Sequence, residues 1–179
     1  MKNKLIRITT VPGSFGLLKG QLKFMSENGY NVIAISSSKT ATIRNLEKVS
    51  QTEEVRVYPV EMSRTISIVK DLKAIWRLYF FLKKEMPFIV HTHTPKAGFV
   101  GMLAAFLARV PNRLHTVAGM PLLVVSGKKR KLLDIVEKIT YACANKIYPN
   151  SFGLYDIILN NKYTSKNKLK VLNNGSSNG

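Results

Sequence analysis

Two histidines and a lysine stand close together in the stretch His91-Thr92-His93-Thr94-Pro95-Lys96. On a strand, the period of two puts His91 and His93 on one face. Thr94 is a good N-cap residue, and Pro95 suits a first helical turn. A helix starting there aims its positive end at the strand terminus, with His93, Thr94 and Lys96 beside it. That is the chemistry of a phosphate or diphosphate pocket. His91 reads as a satisfied core histidine, and His93, at the strand end, as the functional one. A zinc centre from His91, His93 and His115 is the competing chemistry, but no carboxylate stands nearby to orient the rings.

Three further stretches could act on a ligand. The first loop, Thr10-Val11-Pro12-Gly13-Ser14-Phe15-Gly16, places glycine where backbone N–H groups could approach an anion. It is neither G-x-G-x-x-G nor a Walker A loop, and a plain tight turn accounts for it equally well. Ser126-Gly127-Lys128-Lys129-Arg130-Lys131 sets four cations at the start of a helix. They oppose the macrodipole at about 0.3–1 kcal/mol each. Helix stability therefore does not explain them, whereas an external anion or a solvated loop would. Trp76-Arg77-Leu78-Tyr79-Phe80-Phe81-Leu82-Lys83-Lys84 is wider in apolar surface than one buried face needs. It reads as a core helix between two layers or as an interfacial helix anchored by Trp76, Lys83 and Lys84. No Ser/His/Asp triad or carboxylate pair stands out.

Those groups need elements to hold them. Short β-branched runs at 5–11, 31–37, 54–60, 88–93, 112–117, 146–149 and 168–172 read as strands. Runs at 15–27, 42–49, 66–86, 95–109, 129–144 and 152–160 read as helices. In the long helix, Val69, Leu72, Trp76, Tyr79, Leu82 and Met86 mark one face. In the helix after the basic cluster, Leu132, Ile135, Ile139 and Ala142 point inward. The helix after Pro95 is lined with Ala97, Gly98, Gly101, Ala104, Ala105 and Ala108, small residues that permit close packing on a sheet. The alternation predicts an α/β fold, a Rossmann-like parallel sheet of about seven strands with helices on both faces. In such sheets ligands bind outside the carboxyl ends of the strands. That rule picks out residues 11–15, 36–39, 93–96, 118–122 and 150–152.

Of 179 residues, 28 are Lys or Arg and 10 Asp or Glu, a net charge of +18, while 45% are hydrophobic. A chain of this composition builds a core, so it is no disordered basic tail. Its excess charge implies an anionic partner: nucleic acid, an anionic bilayer or a phosphate-bearing substrate. The one cysteine, Cys143, excludes a disulfide within these residues and fits a reducing compartment. No uncharged run reaches the ~18–20 residues that span a bilayer. The expectation is a soluble or peripheral protein.

Three segments carry a family resemblance. They are His91-Thr92-His93-Thr94-Pro95-Lys96-Ala97-Gly98 with its Ala-rich helix, Arg113-Leu114-His115-Thr116-Val117-Ala118-Gly119-Met120-Pro121, and Lys170-Val171-Leu172-Asn173-Asn174-Gly175-Ser176-Ser177-Asn178-Gly179. Together they resemble the N-terminal half of a family GT4 retaining glycosyltransferase of the two-domain GT-B fold, most like those of bacterial capsule and O-antigen synthesis. The resemblance implies an acceptor domain over 1–172 and the start of an interdomain hinge at 173–179, with the donor domain absent. It implies transfer of a sugar from a nucleotide sugar, held mainly by that absent domain, to a polyprenyl-diphosphate-linked or other saccharide. Substrate-binding residues are then Gly13, Ser14 and Phe15, His93, Thr94 and Lys96, and Gly119 and Met120. Counting back from Gly29 puts Gly13 on the second glycine of the family's first loop and Pro12 on its first. Where the family often has T-x-H-G, this chain has Thr116-Val117-Ala118-Gly119, with alanine at the histidine position. Retention is attributed in this fold to the donor phosphate acting as base, so no side-chain nucleophile, cofactor or metal is expected. The cations, above all Lys128, Lys129, Arg130 and Lys131, then serve an anionic membrane at the inner face of the cytoplasmic membrane and the diphosphate of the acceptor. No nucleic acid is expected as partner. A basic nucleic-acid-binding α/β domain is the alternative, and it lacks a stacking motif or recognition helix.

Overall fold

The computed structural model describes residues 3–37 and 40–175. The strand-end residues 38 and 39 and the last part of the expected hinge, 176–179, lie outside the described residues. The described residues form a six-stranded, all-parallel sheet in the order β3-β2-β1-β4-β5-β6. The strands are β1 (Lys4–Ile8), β2 (Asn31–Ser36), β3 (Arg56–Pro59), β4 (Ile89–His93), β5 (Asn112–Val117) and β6 (Lys146–Pro149). β1 is central, pairing Ile6 with Ile33 of β2 and with Val90 of β4. The strand order reverses between β1 and β4, so the crevice at their carboxyl ends is the expected ligand position.

Alternation along β1 separates two cores. Ile6 and Ile8 join Ile33, Ile35 and Val90 under α3 (Ile68–Glu85), α4 (Pro95–Leu107) and α5 (Gly127–Cys143). Leu5, Val32 and Ala34 face the other way, against Phe15, Leu18, Leu22 and Leu46 of α1 (Gln21–Glu27), the turn before it and α2 (Thr40–Glu53). Fully burying each large aliphatic side chain contributes about 1.5–3 kcal/mol, so the two layers hold the sheet rigid beneath its loops. α4 packs tightly on the sheet. A Cβ at Gly98 would fall 2.5 Å from His115 Cε1, and one at Gly101 2.7 Å from Thr92 Cγ2. The small-residue stripe thus does what its composition implies.

Four local expectations change. The run 15–27 is two pieces, a 3-10 turn Pro12–Leu18 and then α1, because Gly20 adopts φ +78° between them. The new N-terminus at α1 is capped by Glu53, whose carboxylate accepts from the N–H groups of Gly20 (2.7 Å), Leu22 (3.1 Å) and Lys23 (3.2 Å). The seventh strand does not form. Residues Lys166–Lys168 make a single 3-10 turn, and only Leu169 bridges to Ile147 of β6. The Lys168 ammonium instead donates to the carbonyls of Tyr141, Ala142 and Ala144, at the dipole-negative end of α5.

The other two changes invert helix faces. α3 buries Asp71, Ala74, Ile75, Leu78, Phe81 and Leu82, while Val69, Leu72, Trp76 and Met86 are exposed. α5 buries Glu137, Thr140 and Tyr141, while Leu132, Ile135 and Ile139 are exposed, as is Ala142. Each helix carries two apolar stripes, and a 3.6-residue period cannot say which one meets the sheet. α6 (Phe152–Asn160) closes the edge beside β6, with Ser151 Oγ capping it by accepting from Leu154 N–H.

Candidate functional site at the carboxyl edge of the sheet

At the ends of β1 and β4 two threonines lock the backbone. Thr94 sits at φ 74°, ψ 145°, a conformation that a threonine adopts only under restraint. The restraint is Thr10. The Thr10 and Thr94 hydroxyls are 2.6 Å apart, and Thr10 N–H donates to Thr94 Oγ1 at 3.2 Å. Thr10 Oγ1 also accepts from Ala97 N–H at 3.2 Å. Thr94 therefore occupies the N-cap position of α4, but the side-chain cap comes from Thr10, just past the end of β1. This pins the start of α4 onto the strand ends, as the sequence implies, by a residue outside the motif.

The histidines separate onto the two faces of the sheet. His93 Nε2 lies 2.7 Å from Arg7 Nη1. A guanidinium cannot accept, so this nitrogen is the acceptor and the ring proton sits on Nδ1. His91 Nε2 bonds Thr116 Oγ1 at 2.8 Å, and its ring lies 4.3 Å from that of His93. Burial and the nearby Arg7 charge hold both far below the usual histidine range, so both are neutral. His115, on the opposite face, bonds Thr92 Oγ1 at 2.8 Å, and burial lowers it to about 4. The three rings thus do not converge, and no group of three metal-ligating side chains occurs among the described residues. The zinc reading falls on geometry.

Arg7 is the residue that the sequence reading missed. It is buried, lowered to about 10 by desolvation, and without a carboxylate partner among the described residues. Its other amino group reaches Met25 Sδ at 3.4 Å, and its Nε has no partner. The available signal was a lone arginine inside the apolar run Leu5-Ile6-Arg7-Ile8.

Several expected ligand residues are occupied by structure. Lys96 is not a free anion ligand, because its ammonium pairs with Asp71 at 2.6 Å and both side chains are under a tenth exposed. Phe15 and Met120 are core residues rather than surface contacts. Gly13 is exposed, Ser14 is half-buried, and a Cβ at Gly13 or Gly119 would meet nothing within 4 Å. Those two glycines are therefore open to a ligand, and no close approach within the chain demands them.

What the fold brings together is a cleft of about 610 Å³ between α3, α4 and α5. Lys96 and Asp71 lie at its base, Phe99, Leu132, Leu133 and Val136 form walls, and Lys128 and Lys129 stand on its rim. Glu137 also lines it, buried, and burial raises its carboxyl to about 7. Two motifs that are separate in sequence, the strand-end lysine and the basic cluster, thus share one cavity. Trp76 lies elsewhere, on the outer face of α3, 54% exposed and with its ring 6.0 Å from that of Phe80. Lys83 and Lys84 are exposed at the end of the same helix.

Relatives agree with this architecture. Across the full chain, 36% of residues are identical to the capsular polysaccharide biosynthesis glycosyltransferase CapM of Staphylococcus aureus, over 46% of that protein. Over 69% of the chain, 37% are identical to the UDP-Gal:alpha-D-GlcNAc-diphosphoundecaprenol alpha-1,3-galactosyltransferase of Escherichia coli, over 32% of that protein. The chain spans about half the length of the first and a third of the second. Among solved structures, a UDP-N-acetylglucosamine 2-epimerase superposes with a TM-score of 0.72 at 18% identity, covering 97% of this chain and 49% of that one. A glycosyltransferase from Rickettsia africae gives 0.67 at 18% identity, covering 95% and 42%. An epimerase and a transferase sharing the likeness illustrate that it speaks for the fold alone. The fold is one Rossmann-like half of the GT-B arrangement. Residues 24–175, most of the chain, match the family described as the glycosyl transferase 4-like domain, and the chain belongs to that family.

Proposed function

We propose that this chain is the acceptor-binding half of a retaining glycosyltransferase in cell-surface polysaccharide synthesis. The whole enzyme moves a sugar from a nucleotide sugar to a saccharide carried on a polyprenyl diphosphate. The family match over most of the chain carries this reading. The Escherichia coli relative, named for an acceptor of that class, supports the lipid-linked substrate. Residues 1–172 form the acceptor domain, and 173–179 begin the hinge to a second domain that holds the nucleotide sugar.

The chemistry of the edge suits this role. His93 is neutral and committed to Arg7, and Lys96 is committed to Asp71. Neither is poised as a nucleophile, which agrees with a transfer in which the donor phosphate takes the acceptor proton. The open glycines Gly13 and Gly119, with Ser14, leave backbone and hydroxyl groups for a saccharide. No cofactor or metal is called for. The test is the longer protein supplied with nucleotide sugars and a lipid-linked acceptor. The expected product keeps the donor's anomeric configuration, and the 179-residue chain alone transfers nothing. Transfer by that chain alone, or an inverted product, would overturn the reading.

The chain sits peripherally on the inner face of the cytoplasmic membrane. No helix among the described residues is long and apolar enough to cross a membrane. The outer faces of α3 and α5 are nevertheless apolar and flanked by cations, the pattern of an interfacial surface. Trp76, the single tryptophan, reports the contact directly. Its emission should shift blue on anionic vesicles at low salt and return as salt rises. Salt-sensitive binding to random duplex without vesicle binding would favour the nucleic-acid alternative instead.

A further inference from the structure

The cleft between α3, α4 and α5 joins two chemistries in one cavity. Its walls are apolar: Phe99, Leu132, Leu133 and Val136. Its rim carries Arg64, Lys128 and Lys129, none of which has an ion-pair partner among the described residues. Its base holds one neutralised ion pair and one buried carboxyl. Lys96 and Asp71 cancel each other at 2.6 Å, and the buried Glu137 is the remaining charged-type group there. The volume falls in the ~300–1,000 Å³ range of small-molecule sites. The walls do not end at the cleft. Leu132 continues along α5 into exposed Ile135 and Ile139, and Ile66 on the opposite side continues into exposed Ile68, Val69 and Leu72 of α3.

An occupant must therefore be apolar along its body, doubly or more negative at one end, and long enough to leave the cleft along an apolar track. Saccharide hydroxyls would leave these walls unused, and a bare phosphate would not fill them. A nucleotide would need hydrogen-bond partners for its base, which the walls do not offer. We infer that this cleft is the prenyl-diphosphate subsite, with Arg64, Lys128 and Lys129 on the diphosphate and Phe99, Leu132, Leu133 and Val136 around the first isoprene units. The inference rests on the lipid-linked acceptor proposed above. It adds the location and the division of labour. The rest of the prenyl chain runs out over the exposed faces of α3 and α5 toward the bilayer. The saccharide, on the other side of the diphosphate, is left at the carboxyl edge near Thr94 and Gly119. The cations at the start of α5, which the helix dipole disfavours, acquire a reason.

The experiment titrates the 179-residue chain with geranylgeranyl diphosphate, inorganic pyrophosphate and geranylgeraniol, read by calorimetry below micelle-forming concentrations. The expected result is that the prenyl diphosphate binds at least about tenfold more tightly than either part. The double reversal Lys128→Glu/Lys129→Glu should weaken it by about tenfold or more, and Leu132→Asn, at an exposed position that folding does not need, by several-fold. Leu132→Asn should keep the wild-type melting temperature, and the charge reversal, which suits the dipole of α5, should keep or raise it. Pyrophosphate binding as well as the prenyl diphosphate would reduce the cleft to an anion site and overturn the inference. Geranylgeraniol binding equally well, or indifference to both variants, would overturn it too. Failure here is separable from failure of the glycosyltransferase reading. If the longer protein transfers sugar to a lipid-linked acceptor while this chain ignores prenyl diphosphate, the subsite falls and the function stands.

Discussion

Lys96 and Asp71 show how one residue's partner changes its meaning. In sequence Lys96 belongs to a strand-end anion motif, and Asp71 is an ordinary helix charge 25 positions away. In the fold they form a nearly dry pair at 2.6 Å. Removing one member of such a pair leaves an uncompensated buried charge, at a cost of about 3–5 kcal/mol. Lys96→Met and Asp71→Asn should each lower the unfolding free energy read from urea titration by that order, and the double variant should recover much of the loss. A Lys96→Met protein that keeps full stability but loses affinity for diphosphate would restore the ligand role to Lys96. Arg7 is the converse case. A lone basic residue in an apolar strand is visible in sequence, yet its contact with His93 requires the pairing of β1 with β4.

Among the elements, α4 was the most legible. Its apolar residues cover every side, so its burial between α3 and α5 did not depend on choosing a face. Its glycines were legible as well, though their neighbours were not. Gly98→Ala drives a Cβ to 2.5 Å from the His115 ring, which is itself held by Thr92. Overpacking of this kind costs about 1–3 kcal/mol. Gly98→Ala should therefore lower the melting temperature, whereas Gly13→Ala, at an exposed position with no neighbour within 4 Å, should leave it unchanged. Equal losses in both would mean that the contact of α4 with His115 is not what limits Gly98. α3 and α5 were misread in orientation, although their existence and extents were close. Each has two apolar stripes because each has two environments to meet, a core on one side and an exposed face on the other.

For the molecule as a whole, three buried histidines set the response to acid. His91, His93 and His115 are all held neutral below the ordinary histidine range, His115 at about 4. Below pH ~6.5 the unfolded chain takes up protons that the native fold refuses, so stability falls as pH falls. For His115 alone the loss is of the order of 3 kcal/mol by pH ~4. Glu137 works in the opposite sense. Its native carboxyl is raised to about 7, so it keeps a proton that the unfolded chain releases, and stability falls as pH rises from about 4.5 to 7. Three groups outweigh one, and the melting temperature should drop steadily from pH 6.5 to 4.5. Glu137→Gln should stabilise the protein at pH 8 and have little effect at pH 4.5. A melting temperature that is flat or rises on acidification would show that the histidines are hydrated.

The sequence by itself determined the alternating α/β plan, the parallel sheet, the close-packed α4 and the family resemblance. These follow from local periodicity, glycine and proline positions and short motifs, all of which act within a few residues. Only the tertiary structure decided which side of α3 and α5 is buried, that Lys96 belongs to Asp71, and that Thr10 rather than Thr94 caps α4. It alone decided that Glu53 occupies the N-terminus of α1 and that the basic cluster shares a cavity with Lys96. Each of those depends on which distant partner a group meets. A charge, a hydroxyl or an apolar stripe has the same appearance in sequence whether it is buried and paired or left facing solvent.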